Sequence, residues 1–382
     1  MKLCYTYIQF LVLLMSIFII VFENCSFYSE KPKEIENNLE FFISDEVKNK
    51  FPILQKMDND SKPENIFREL RAAAEDVCVM AHNKKPFSDK KAKDFVDLPG
   101  LRVTSKGVIW NLLPRVIAGC WNYFQMNDIH PEKEFQLIKT LYLNQNKECY
   151  SVGFMQPYIM NEILGCNKLH MLDIDWRIHF THYELIRKMR TGSFQKENID
   201  NGLNEIPFDW VAFNSILTKD TKLKMNDICK TDPNTCTNAI LNFQTNYKKV
   251  SKLYLQLSPL HDLNFTPEKE SISIIYTSNA LDNVYTKMPD LKKMLSKINS
   301  RLSENQTALI IYHNGGLSMY GIYEITRDKL FPKVRTVCKD IYYVGGVSDD
   351  ERTYINLDKL SLNNGKAITC SKLYKEKIKI LK

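Results

Sequence analysis

ECYSVGFMQPYIMNEILGCNKLHMLDIDW, residues 148–176, decides the fold. Cys149–Phe154 is a short apolar run of strand length, and Tyr158–Leu164 reads as a helix. Leu169–Ile174 is a second strand, and Trp176–Met189 carries the chain on as a helix. Strand, helix, strand, helix is the pattern of βαβ units and a parallel sheet. The alternation resumes downstream, with strands at Leu253–Leu257 and Ile272–Thr277, a helix at Asp290–Leu302 and a strand at Ala308–Tyr312. The end differs. Residues 334–360 read as two strands, Thr336–Val344 and Thr353–Leu357, joined through Gly345, Gly346 and the polar stretch Ser348–Glu351. That is a hairpin, not a crossover unit.

The predicted fold is therefore α/β: a Rossmann-like, mostly parallel sheet with an antiparallel C-terminal hairpin, preceded by a helical N-terminal region. The sheet domain covers 148–382, with 191–250 as an insertion that fits no strand-helix pattern. Upstream, 66–147 reads as a helical cap. Ile66–Met80 has helical spacing, Val108–Phe124 is strongly apolar with Trp110 and Trp121, and Pro131 opens a helix over Glu132–Asn144. Residues 26–65 are rich in Lys, Glu and Asn and read as a polar tether with a helix around Ile43–Lys56.

The chain has 382 residues, of which 44% are hydrophobic and 25% charged, an ordinary globular balance with room for an enzyme-sized core. Its net charge of +7 comes from 52 basic against 45 acidic residues. The excess is spread along the chain, without a basic stripe carrying interleaved aromatics, which argues against nucleic acid as a partner.

Residues 1–25 read as an export segment. Lys2 supplies a positive start, and the apolar run Phe10–Phe22 is shorter than the roughly 20 residues of a spanning helix, as in a signal peptide. A lone membrane anchor over Tyr5–Phe22 is the alternative. The run ends at Cys25, which resembles the lipid-bearing cysteine of a bacterial lipoprotein signal of the looser spirochaete style. That resemblance implies a membrane partner through a lipid on Cys25, and simple cleavage nearby implies secretion.

Of ten cysteines, eight remain once Cys4 and Cys25 are assigned to this segment. An even number in an exported chain suggests disulfides. Cys229 and Cys236 bracket the turn-rich Lys-Thr-Asp-Pro-Asn-Thr and form the best local pair. Cys149 and Cys166 fit either a disulfide or plain burial.

In a doubly wound sheet, ligands bind beyond the C-terminal strand ends. Those ends carry Gly153-Phe154-Met155-Gln156-Pro157, Asp173-Ile174-Asp175-Trp176, Tyr276-Thr277-Ser278-Asn279-Ala280-Leu281-Asp282 and His313-Asn314-Gly315-Gly316. This series resembles the class I S-adenosylmethionine-dependent methyltransferase fold over roughly 148–360, with a first loop that keeps one glycine followed by bulky residues. The resemblance implies that Asp173 or Asp175 binds the cofactor ribose and that Gly153 lets the backbone approach it. It also implies that Asn279 and Asp282 hold the methionine end or the acceptor. The other reading of Asp173 and Asp175 is a helix N-cap, and that of Asn279 and Asp282 is turn and cap residues.

His179 and His182 are three apart on a helix and could share a metal, but no third ligand is near them in sequence. Two functions follow. One is an exported binding scaffold without cofactor, for an unknown small-molecule or protein partner. The other is an S-adenosylmethionine-dependent transferase. The content of the first loop separates them: an open space beside Gly153 and Asp173 favours the enzyme, one filled by Phe154 or Met155 the scaffold.

Overall fold

The structure is a computed structural model. It describes residues 39–50, 52–55, 62–70, 102–104, 107–109, 126, 128–206, 224–246, 249–281, 286–313, 318–342, 356–364 and 366–381. The chain divides into two units, 1–39 and 40–382, and the elements below belong to the second, which Leu39 adjoins as the first residue of β1. Cys25 and the export segment lie outside the described residues.

In chain order come β1 (Leu39–Ile43), α1 (Asp45–Lys50), α2 (Pro52–Gln55), α3 (63–70) and a small hairpin of β2 (Arg102–Thr104) and β3 (Gly107–Ile109). Next are α4 (Pro131–Leu141), β4 (Asn146–Val152), α5 (Gln156–Leu164), β5 (Lys168–Asp173) and α6 (Trp176–Arg190). They are followed by α7 (Ile199–Asn204), α8 (Met225–Ile228), α9 (Pro233–Asn246) and β6 (Lys252–Leu257). The chain continues through β7 (Ser271–Tyr276), α10 (Met288–Arg301), β8 (Thr307–His313), β9 (Ser318–Thr326), β10 (Lys333–Tyr342), α11 (Asn356–Leu360) and α12 (Cys370–Leu381).

Eight strands form one sheet in the order β1-β6-β5-β4-β7-β8-β9-β10. The pairs β6–β5, β5–β4, β4–β7 and β7–β8 are parallel, while β8–β9 and β9–β10 are antiparallel. The five parallel strands follow the 3-2-1-4-5 order of a Rossmann sheet, so the order reverses between β4 and β7. Covering both faces explains the unbroken apolar run Ala308–Tyr312 of β8, every residue of which is buried. On one face Leu291, Met294, Leu295 and Ile298 of α10 join Tyr150, Ile275, Ile310 and Tyr323 in the core.

Several expectations are corrected. The hairpin sits earlier than predicted, with arms Ser318–Thr326 and Lys333–Tyr342. Leu357 belongs to a helix, and Thr353 lies outside the described residues. The missed arm contains Gly321, which usually weakens a strand. Here a Cβ on Gly321 would come within 2.9 Å of the Tyr323 ring, so the glycine makes room for that side chain. The tether reading of 26–65 gives way at Leu39, where a strand joins the sheet edge, and Val47, Leu54 and Phe67 are buried. The helical cap holds α3 and α4 but also the β2–β3 hairpin, and Val108 is on a strand; most of Val108–Phe124 lies outside the described residues. The described residues of the insertion 191–250 carry helices between β5 and β6, and its α9 packs on α5 and α6.

Between β6 and β7 the chain has only a short 3-10 turn, Leu260–Asp262. A buried polar network holds this connection. Glu148 accepts from His170 (3.0 Å), Tyr150 (2.9 Å) and the Glu268 amide (3.0 Å), while Gln256 bonds both backbone groups of Asn264. His170 is stacked between Tyr150 and Tyr254, at 4.0 and 4.3 Å, across three neighbouring strands.

All six described cysteines are paired: Cys149–Cys166, Cys229–Cys236 and Cys338–Cys370. Cys149 and Cys166 are thus buried and also bonded.

Candidate functional site

The crevice at the order reversal is built from the ends of β4, β7 and β8. After β4, Gly153 adopts φ +96°, a conformation that favours glycine, and Phe154 and Met155 turn into the interior. Gln156, the first residue of α5, lies back over the glycine: a Cβ there would be 2.5 Å from its Oε1. The Gln156 Nε2 donates to Asp128 Oδ2 at 2.8 Å. After β7, Ser278 is held at φ +47°, in the left-handed region that a serine rarely occupies. Its Oγ donates to Asp128 Oδ1 at 2.8 Å, and its carbonyl accepts from the His313 amide at 3.1 Å. His313 ends β8, with Nδ1 3.4 Å from Asp128 and Nε2 3.4 Å from Glu134.

Asp128, Glu134, Gln156, Ser278 and His313 are all buried. Burial first, then the charges of Asp128, Glu132 and Asp340, push the Glu134 carboxyl well above its usual range. Burial and the charge of Asp128 likewise push the Tyr276 phenol up. The cluster has the acid and base groups of a proton relay; Asp128 is bonded by Gln156 and Ser278, while both buried Glu134 carboxyl oxygens lack a hydrogen-bond partner. Gln156, Ser278 and His313 stand in the strand-end stretches read from the sequence, whereas nothing in the sequence pointed to Asp128 and Glu134.

The sequence candidates sit as follows. Asp173 ends β5, partly exposed. It accepts from the Asp175 amide at 2.9 Å and from the Ile174 and Gly153 amides, which ties the β4 loop to the β5 loop. Burial and the neighbouring Asp175 charge push its pKa up to about 7. Asp175 is buried and caps α6, accepting from the Arg177 amide at 3.0 Å. It also holds the Arg177 side chain through bonds of 3.0 and 2.6 Å. Burial raises its pKa, and Arg177 opposes that shift. Gly153, Asp173 and Asp175 therefore do come together. Asn279 stands across the crevice, partly exposed, with its Oδ1 3.5 Å from Ser278 Oγ. Asp282 lies outside the described residues.

His179 and His182 are buried, and each serves a strand end. His179 Nε2 meets the Asp173 carbonyl at 3.0 Å, and His182 Nε2 meets the Gly153 carbonyl at 3.3 Å. The Tyr158 hydroxyl is 2.8 Å from His182 Nδ1. Among the described residues no group of three or more His, Cys, Asp or Glu is placed to hold a metal ion.

No family model and no curated protein matches the chain. A solved S-adenosylmethionine-dependent methyltransferase from Clostridium acetobutylicum is similar to it. The match has a TM-score of 0.25 and 11% identity, and covers 66% of this chain and 83% of that one. That overlap carries no functional argument.

The local geometry does test the cofactor. A nucleotide in this crevice needs backbone approach at the glycine loop and a free carboxylate at the end of the second strand. Here Gln156 lies over Gly153, and Phe154 and Met155 are buried beside it. Both Asp175 oxygens are engaged by Arg177. Asp173 offers a carboxyl already bonded to backbone amides. The residues do not fit S-adenosylmethionine as they stand.

Proposed function

We propose that this chain is an exported, disulfide-braced binding scaffold whose Rossmann-like domain works without S-adenosylmethionine. One observation carries this reading: Gln156, Asp128 and Ser278 join across the crevice where the cofactor would lie. Export is supported by the segment 1–25 and by three disulfides, which persist in oxidising compartments. Among the described residues no helix is long and apolar enough to cross a membrane. A lipid on Cys25 is the proposed membrane contact, and an intact-mass measurement of the mature protein tests it. A mature N-terminus other than a lipid-bearing Cys25 overturns that contact.

The test of the central reading is calorimetric titration with S-adenosylmethionine and S-adenosylhomocysteine. No binding at millimolar ligand is expected. The transferase alternative rests on the partly exposed Asp173 at the end of β5. Binding that disappears in a folded Asp173→Ala variant would establish it and overturn the scaffold.

A further inference from the structure

Away from the crevice, α3 and α6 enclose a cavity of about 140 Å³. Cavities near this size accept a guest as large as benzene. Its lining follows from helical spacing: Glu64, Phe67 and Arg68 share one face of α3, and Trp176, Phe180, Tyr183 and Glu184 share one face of α6. Phe67 and Trp176 are buried, whereas Phe180 and Tyr183 remain partly exposed.

The rings stand at angles to one another. Phe67 lies 5.6 Å from Phe180 at 73° and 6.0 Å from Tyr183 at 47°. Two carboxylates join these four aromatic walls. Glu64 accepts the Tyr183 hydroxyl. Burial, the hydrogen bond to Glu64 and the Glu64 charge push the Tyr183 phenol above its ordinary range, so the ring stays neutral. Glu184 is largely buried and pairs with the exposed Arg187 at 2.7 Å. Arg68 also lines the cavity, but it is 70% exposed and 3.6 Å from Glu69, so its charge is screened by solvent.

We infer that this cavity is a binding site for a small alkylated ammonium group. Aromatic faces attract such cations through their quadrupoles, and a ring enclosure with a nearby carboxylate selects them over neutral guests of equal shape. The site is separate from the crevice and does not depend on the reading proposed above. A titration with S-adenosylmethionine and one with an ammonium ligand can fail independently.

The probe is choline, titrated into the full disulfide-bonded chain, with its uncharged isostere 3,3-dimethylbutan-1-ol as control. Choline binds and the neutral isostere does not. Glu64 is exposed, so Glu64→Gln keeps the fold, checked by an unchanged melting temperature. It weakens choline about 1.5- to 5-fold, the range of an exposed ion pair. Phe180→Ala weakens it as well. Co-sedimentation with phosphatidylcholine vesicles separates the sources: loss in both variants assigns the site to a lipid headgroup, and vesicle-independent choline binding to a free amine. Equal affinity for the neutral isostere overturns the inference, as does absence of choline binding at about 50 mM, where even very weak association gives heat.

Discussion

Acid should loosen this protein through two histidines, and His182→Gln should remove half of that effect. His179 and His182 face backbone carbonyls through Nε2, so each donates there. His182 Nδ1 is then left to accept the Tyr158 hydroxyl, which fixes the neutral tautomer. Burial lowers their pKa values to about 4 and about 3, from an ordinary 6.5. The sign follows from linkage. As pH falls below 6.5 the unfolded chain takes up protons that the folded one refuses, so stability is full above that pH and is lost down to the folded values. Between pH 7.5 and pH 5 each histidine costs about 2 kcal/mol. Asp173 acts oppositely. Its folded pKa of about 7 exceeds the ordinary 3.8, so the folded state gains protons first and is stabilised by about 2.5 kcal/mol over the same interval. From these three groups, the wild type should lose about 1.5 kcal/mol and His182→Gln should gain about 0.5. Gln retains a donor for the Gly153 carbonyl. Urea unfolding at constant ionic strength, disulfides intact, measures both chains at pH 7.5, 6 and 5. Identical pH dependence in the two chains would refute the reasoning.

Three further outcomes are expected. Replacing both Cys149 and Cys166 by Ala removes a cross-link between residues 17 apart and should cost about 3 kcal/mol in urea unfolding; an unchanged midpoint would show that the bond contributes nothing. Arg177→Met strands the buried Asp175 charge and should cost about 3–5 kcal/mol, most of it recovered in Asp175→Asn/Arg177→Met; additive losses in the double variant would rule out the pairing. Gly153→Ala meets both a positive φ and the Gln156 amide and should cost at least about 2 kcal/mol in thermal unfolding, whereas a neutral change would mean that the loop relaxes freely.

What the sequence made legible depends on how local the determinant is. Ala308–Tyr312 of β8 is buried along its length, and Ala-Leu-Ile-Ile-Tyr announces itself as a covered strand. The bonded pair Cys229–Cys236 spans 7 residues, close enough for a turn to suggest it. Cys338–Cys370 spans 32, and spacing holds no such hint. β9 was hidden by Gly321, whose reason is a ring two residues on. β1 was hidden because an edge strand of five residues needs little apolar pattern, and its surroundings are polar. The crevice cluster was the least legible part. Asp128 and Ser278 are 150 residues apart and meet only because the sheet order reverses between β4 and β7.

That cluster also explains how a nucleotide-type sheet can be stable with its crevice closed. Strand ends at the order reversal gather polar groups, and a buried carboxylate there is costly unless it is hydrogen-bonded. Asp128 meets that requirement from two sides, with Gln156 on one oxygen and Ser278 on the other. At Glu134, next to it, burial and the charge of Asp128 disfavour a second charge. His179 and His182 then brace the Asp173 and Gly153 carbonyls from behind, while Arg177 holds Asp175. Four loops are joined by side chains the protein supplies itself, so opening this crevice to a cofactor means breaking several buried hydrogen bonds together. A binding role is thus better placed on the helical surface, where the α3–α6 cavity keeps its aromatic walls partly exposed.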